Sequence, residues 1–141
     1  ILKKVLNTKL ILEKKVDPKY ILSKKILKTI LKDGTGGYYS KSEIDLEIAR
    51  PLTRTMVKMH RAHQDNYYSN KFINGEKKLK WIRKLTPLEA LRLQGFPDQF
   101  YHNAKKNNIS DTQLYMQAGN SVTVNVVEAI LGHLIKHDWF K

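Results

Sequence analysis

The chain has 141 residues, enough for one domain with a core of its own. It contains no cysteine, which excludes a disulfide scaffold, a thiolate zinc site and a cysteine nucleophile within these residues. The net charge of +13 is uneven: residues 1–41 hold eleven lysines against three acids, residues 42–84 ten basic residues against five acids, and residues 85–141 five of each. A surface for a polyanion is therefore expected in residues 1–84, and a different task in the remainder. No apolar run approaches the roughly 20 residues of a membrane span, and no secretory leader pattern is visible. The expectation is a cytoplasmic protein without membrane contact.

Residues 1–16 mix Ile, Leu, Val and Lys. Val5, Leu6, Leu10 and Ile11 can share one side of a short helix. Asp17-Pro18 signals a helix start or a turn. From Tyr20 to Leu31 the apolar residues Ile21, Leu22, Ile26, Leu27, Ile30 and Leu31 have helical spacing, and Ser23 can cap a shorter version. The run Asp33-Gly34-Thr35-Gly36-Gly37 stops that helix. Three glycines in four residues imply either a plain turn or a close backbone approach to a ligand. It is not a phosphate-binding loop, since no Gly-Lys-Ser/Thr ending follows.

Residues 44–59 read as short strands, with Ile44, Leu46 and Ile48 alternating with acids and Pro51 breaking the run. Residues 60–80 read as irregular. Asn74-Gly75 marks a tight turn, and Trp81 with Ile82 suggests a short strand. Arg50, Arg54, Lys58, Arg61, Tyr67 and Tyr68 are candidate contacts to base edges and phosphates, or a solvated rim. His60 and His63 have no evident third ligand, so no metal site is expected.

The last third is more sharply punctuated. Thr86-Pro87-Leu88-Glu89 combines an N-cap, a proline at the first helical position and a capping box, with Leu85 able to staple the turn from outside. That helix should run to Gln94 and stop at Gly95. Glu89 and Arg92, three apart, can form an ion pair on one face. Ser110-Asp111-Thr112-Gln113 opens a second helix, expected to close at Gly119. Asn120 or Ser121 would cap a third, with Val122, Val126, Val127, Ile130, Leu131, Leu134 and Ile135 as its apolar residues. The early Val122, Val124, Val126 alternation also permits a strand, but the later spacing favours helix.

Residues 83–97, Arg83-Lys84-Leu85-Thr86-Pro87-Leu88-Glu89-Ala90-Leu91-Arg92-Leu93-Gln94-Gly95-Phe96-Pro97, resemble the ninth motif of the cytosine-5 DNA methyltransferases. Gln117-Ala118-Gly119-Asn120-Ser121-Val122-Thr123-Val124-Asn125-Val126-Val127 resembles the tenth motif of the same family, in the right order and at the right distance. Asp17-Pro18-Lys19-Tyr20-Ile21-Leu22-Ser23 is similar to a stretch that opens the family's target-recognition domain. Ile48-Ala49-Arg50-Pro51-Leu52-Thr53 is similar to its short Thr-Leu element, with Pro51 standing where the family has Thr.

The resemblance implies an α+β chain in two parts. Residues 1–82 would be a small, irregular recognition domain that binds double-stranded DNA, and residues 83–141 would supply helices completing a Rossmann-like methyltransferase domain. Gly34, Thr35, Gly36 and Gly37 would form the recognition loop. Gly119, Asn120, Ser121 and Val122, at a helix start, would close the S-adenosylmethionine pocket near the cofactor's carboxylate. The family's Pro-Cys nucleophile, its Glu-Asn-Val and its Phe-x-Gly-x-Gly turn are all missing from this sequence. No catalytic residue is therefore expected here, and the chain alone should be inactive. The resemblance implies the carboxy-terminal part of such an enzyme, or the second subunit of a split one, working with a partner chain that carries the first eight motifs. A stand-alone, non-catalytic DNA-binding remnant is the alternative.

Overall fold

A computed structural model describes residues 7–34 and 36–137. In the first half, short polar caps and isolated backbone contacts replace long periodic elements. Asn7 caps a 3-10 turn, Thr8–Leu10, by accepting from the Lys9 amide, and Asp17 caps another, Pro18–Tyr20, in the same way through Lys19. The helix expected over residues 1–16 is therefore only this first turn in residues 7–16; Val5 and Leu6 lie outside the described residues. The first α-helix, α1, is Lys24–Ile30, capped by the Ser23 hydroxyl on the Ile26 amide. It is the shorter of the two versions that the sequence allows.

Residues 44–59 do not form the expected strands. Their backbone groups go to separate partners instead of to one ladder: the Thr8 amide donates to the Glu47 carbonyl, the Thr8 hydroxyl to the Leu46 carbonyl, and the Asp45 amide to the Tyr67 carbonyl. Asp45 itself turns through a φ of 61°, which breaks an extended run. Only a 3-10 turn, Met56–Lys58, is regular here.

The region expected to be irregular instead holds strand β1, Tyr67–Ser69, and helix α2, Asn70–Asn74, closed by Gly75. β1 pairs antiparallel with β2, Ile82–Lys84, in the register Tyr67 to Lys84, Tyr68 to Arg83 and Ser69 to Ile82. An isolated bridge from Ile21 to Arg83 adds to the ribbon's other edge. Strand alternation sends Tyr67 into a cluster with Leu22, Ile30, Ala62 and Ile82, and Tyr68 into another with Leu12, Ile73 and Leu85.

Helix α3, Pro87–Leu93, has the full capping box, with the Thr86 hydroxyl on the Glu89 amide and the Glu89 carboxylate on the Thr86 amide. Helices α4, Asp98–Lys106, α5, Asp111–Asn120, and α6, Val124–Lys136, follow. α3 and α5 enclose a third cluster with Tyr20, Met56, Leu91, Leu114 and Tyr115. The architecture is mixed α and β, and the division expected between residues 82 and 83 runs through β2.

The Glu89–Arg92 ion pair does not form. Glu89 is drawn instead to Arg83, whose guanidinium donates to both its carboxylate oxygens at 2.8 and 2.6 Å. Both side chains are fully buried. The Glu89 carboxylate also accepts from the Glu13 and Thr86 amides, and Arg83 donates to the Glu13 and Lys84 carbonyls. This knot ties residue 13 to β2 and to the start of α3. Arg92 pairs with Asp98 instead and reaches the Ile11 carbonyl.

Candidate functional site

The end of α5 is not closed by Gly119; the helix continues through it. A Cβ at Gly119 would lie 2.3 Å from the carbonyl carbon and oxygen of Thr53 and 2.4 Å from the Arg54 nitrogen. The glycine is required by backbone approach, not by helix termination. It brings the tenth-motif segment directly against the Thr53-Arg54 segment of the basic half.

The next helix begins later than expected. Its N-cap is Thr123, not Asn120 or Ser121, and the residues between are held by their own bonds. The Ser121 amide and hydroxyl donate to the Gln117 and Ala118 carbonyls. Gln94, at the end of α3, then joins three helices. Its side-chain amide donates to the Ala118 carbonyl at 2.9 Å, its side-chain oxygen accepts from the Thr123 hydroxyl at 2.7 Å, and its backbone carbonyl accepts from the Val124 amide at 2.8 Å. The Thr123 hydroxyl donates to Gln94, and no side chain caps the first turn of α6.

A groove of about 560 Å³ opens between these segments. Arg50, Pro51 and Leu52 line it from one side, Arg92 and Gln94 from the end of α3, and Ser121, Val122 and Thr123 from the approach to α6. The structure thus brings one candidate DNA contact, Arg50, to the same groove as two candidate cofactor contacts, Ser121 and Val122. Gly119 is partly buried and Asn120 exposed at the helix end. In the first turn of α6 the Val124 amide donates to the Gln94 carbonyl and the Val126 and Val127 amides to the Thr123 carbonyl, with Asn120 and Val122 exposed beside them.

The other candidates are placed apart from the groove. Arg54 and Lys58 are exposed beside the turn Met56–Lys58. Arg61 is half-buried, with one guanidinium nitrogen lacking a hydrogen-bond partner. Arg50 is committed to structure: its backbone exchanges two hydrogen bonds with the Asn66 side chain, and its Nε donates to the Ala62 carbonyl. Gly34 has a φ of 61°, and a Cβ there would meet the Tyr38 carbonyl oxygen at 2.6 Å. Gly36 and Gly37 are exposed, and Thr35 lies outside the described residues.

Tyr67 and Tyr68 are not available to DNA. They are 2% and 0% exposed, because separate side-chain clusters cover the two faces of the β1–β2 ribbon. Burial raises both phenols, Tyr68 to about 12, so both stay neutral. Sequence reasoning missed Gln94, whose polar side chain inside an apolar helix pattern was the available signal. It also missed the exposed neighbours Tyr38 and Tyr39.

Among known proteins, the family described as C-5 cytosine-specific DNA methylase matches residues 2–136. The chain belongs to that family. It is 36% identical over 135 residues to the type II methyltransferase M.SsoII of Shigella sonnei, covering 89% of this chain and 31% of that protein. It is 56% identical over 54 residues to the orphan methyltransferase M.SPBetaI of Bacillus phage SPbeta, covering 38% of this chain and 12% of that one. The fold matches the Entamoeba histolytica methyltransferase EhMeth with a TM-score of 0.68 at 20% identity, and S. pombe Dnmt2 with 0.67 at 18%. Each of these matches covers 42% of the solved chain. The chain therefore spans less than half of its solved neighbours and under a third of M.SsoII. Membership of a methyltransferase family implies S-adenosylmethionine as the methyl donor.

Proposed function

We propose that this chain is the carboxy-terminal part of a cytosine-5 DNA methyltransferase, contributing double-stranded DNA recognition and the closing wall of the S-adenosylmethionine pocket. The observation that carries the reading is α6. Val126, Val127, Ile130, Leu131 and Ile135 are 39–67% exposed, and none of the described side chains of this helix is buried. Each such side chain gains roughly 1.5–3 kcal/mol on full burial, so a helix built this way calls for a covering surface. The occupant is the polypeptide that carries the first eight motifs, with the Pro-Cys nucleophile and the Rossmann-like sheet. Two facts support that choice: family membership, and a share of only 42% of each solved neighbour.

In this reading the basic residues of the first half hold the DNA backbone, with Arg54, Lys58 and Arg61 as the contacts that remain after Arg50 is discounted. Asn120, Ser121 and Val122 face the cofactor once the catalytic part is docked. S-adenosylmethionine would supply the transferred methyl group; the role of this chain is to bind and orient.

The test is complementation. The chain is mixed with a polypeptide carrying the first eight motifs, and co-elution and methyl transfer to duplex DNA are measured. Association and transfer are expected together, with neither component active alone. Ile130→Asp combined with Leu131→Asp should abolish both while leaving DNA affinity within about twofold. Both sites are exposed, so the fold should survive. A parent chain that neither associates nor restores transfer refutes the reading in favour of a stand-alone DNA-binding remnant.

A further inference from the structure

The sequence draws attention to His60 and His63, but the His60 Nδ1 is taken up by the Asp65 carboxylate at 3.1 Å, and the His63 ring is half-buried. Among the described residues, the two imidazoles that meet are elsewhere, at the far end of α6. His133 and His137 are four apart, one helical turn, which puts both rings on one side of the helix. The His137 amide donates to the His133 carbonyl at 3.1 Å, so the helix's own hydrogen bond fixes that spacing. The ring centroids lie 4.4 Å apart, with the planes tilted by 45°. Both residues are exposed.

That separation suits a chelate. A bond from a metal ion to an imidazole nitrogen is about 2.0–2.1 Å, and the nitrogen lies about 1.1 Å from its own ring centre, so each centroid would stand about 3.2 Å from a shared ion. Two rings at right angles about that ion are then about 4.5 Å apart, and two at the tetrahedral angle about 5.2 Å. The observed 4.4 Å matches the right angle. Right angles belong to tetragonal coordination, the geometry of copper(II) and nickel(II), and both ions take imidazole as a ligand. Among the described residues no third histidine, cysteine or carboxylate joins the pair, so water would fill the remaining positions.

We propose that His133 and His137 form a two-point chelate for a divalent transition-metal ion of tetragonal preference, copper(II) or nickel(II), which staples the last turn of α6. The site is separate from the DNA and cofactor readings above, since it uses neither the basic half nor residues 119–122. A staple has most to add on a helix of this kind. The start of α6 has no side-chain cap, and none of its described side chains is buried. Helices in proteins draw most of their stability from tertiary packing, and here an ion bridging two rings would supply what packing does not.

The experiment is isothermal titration calorimetry of the metal-stripped full chain with nickel(II) chloride, with far-UV circular dichroism followed in parallel. The parent is expected to bind one ion per chain and to gain helical signal. His133→Ala or His137→Ala alone should weaken binding by roughly 100-fold, because a single ring loses the advantage of two tethered ligands. His137→Ala combined with Ala129→His rebuilds a pair four apart at an exposed position, and it should recover both the binding and the helical gain. Magnesium chloride should give no binding heat, since that ion takes oxygen ligands. All variants are first compared without metal by circular dichroism and thermal melting, which changes at exposed sites should leave unaltered. The proposal is overturned by a parent that does not bind nickel(II), by single variants that bind it as the parent does, by a relocated pair that fails to recover binding, or by magnesium binding of equal strength. Each of those outcomes leaves the DNA and cofactor readings where they stand.

Discussion

Replacing Gly119 with alanine sets two effects of opposite sign against each other. Helix propensity alone favours the change, because glycine within a helix costs about 0.5–1 kcal/mol relative to alanine. Packing opposes it. The new methyl would sit 2.3–2.4 Å from three backbone atoms of Thr53 and Arg54, and ordinary contact begins near 3.4 Å. Opposite Gly119 there is no side chain to swing away, so the two segments must separate by about an ångström. Overpacking of this kind costs typically 1–3 kcal/mol. The net expectation is a destabilisation of about 1–2 kcal/mol, a melting point lower by several degrees for a domain of this size. Gly132→Ala is the control, since a Cβ there meets nothing within 4 Å and the residue lies in the exposed helix α6. It should raise helical circular dichroism and leave the melting point unchanged or higher. Urea and thermal denaturation of both variants decide the matter. A stabilised Gly119→Ala, or a Gly132→Ala destabilised to the same degree, would refute the claim that close backbone approach fixes the glycine.

Glu89→Ala strands the buried Arg83 guanidinium and orphans the Glu13 and Thr86 amides, so a loss of roughly 3–5 kcal/mol in urea denaturation is expected; a loss under 1 kcal/mol would contradict it. Burial opposes the charge on Asp111, but hydrogen bonds from Lys19, Tyr20 and Lys105 outweigh it and hold its pKa at about 2. A depressed carboxylate contributes stability that is present above about pH 4 and lost as pH falls toward 2. Asp111→Asn should therefore flatten the acid limb of melting point against pH, and an unchanged limb would count against the network. DNA affinity should fall with salt at a log–log slope of about −4 to −5 if about five phosphates are held, and Arg54→Ala or Lys58→Ala should each reduce that slope by about one. Slopes unaffected by either change would remove these residues from the interface.

Local signals in the sequence set the starts of α3 and α5, but α4 was not read from them and the start of α6 at Thr123 was placed too early. Thr86, Pro87 and Glu89 set the start of α3, and Ser110 with Gln113 set the start of α5, because caps and boxes act within four residues and need no distant partner. The motif order pointed to the family, which the family match over residues 2–136 established. Tertiary structure decided the rest. Glu89 had a partner in helical register, Arg92, and chose Arg83 instead, since only that pairing neutralises a guanidinium sealed from water. The alternation over residues 44–48 looked like a strand, yet no neighbouring strand accepted its backbone, and its bonds went to Thr8 and Tyr67. Tyr67 and Tyr68 were buried by a ribbon too short to announce itself, while Tyr38 and Tyr39 were left in water. Gly119 read as a helix stop, because a sequence shows that a side chain is missing but not which backbone, 66 positions away at Thr53, needs the space.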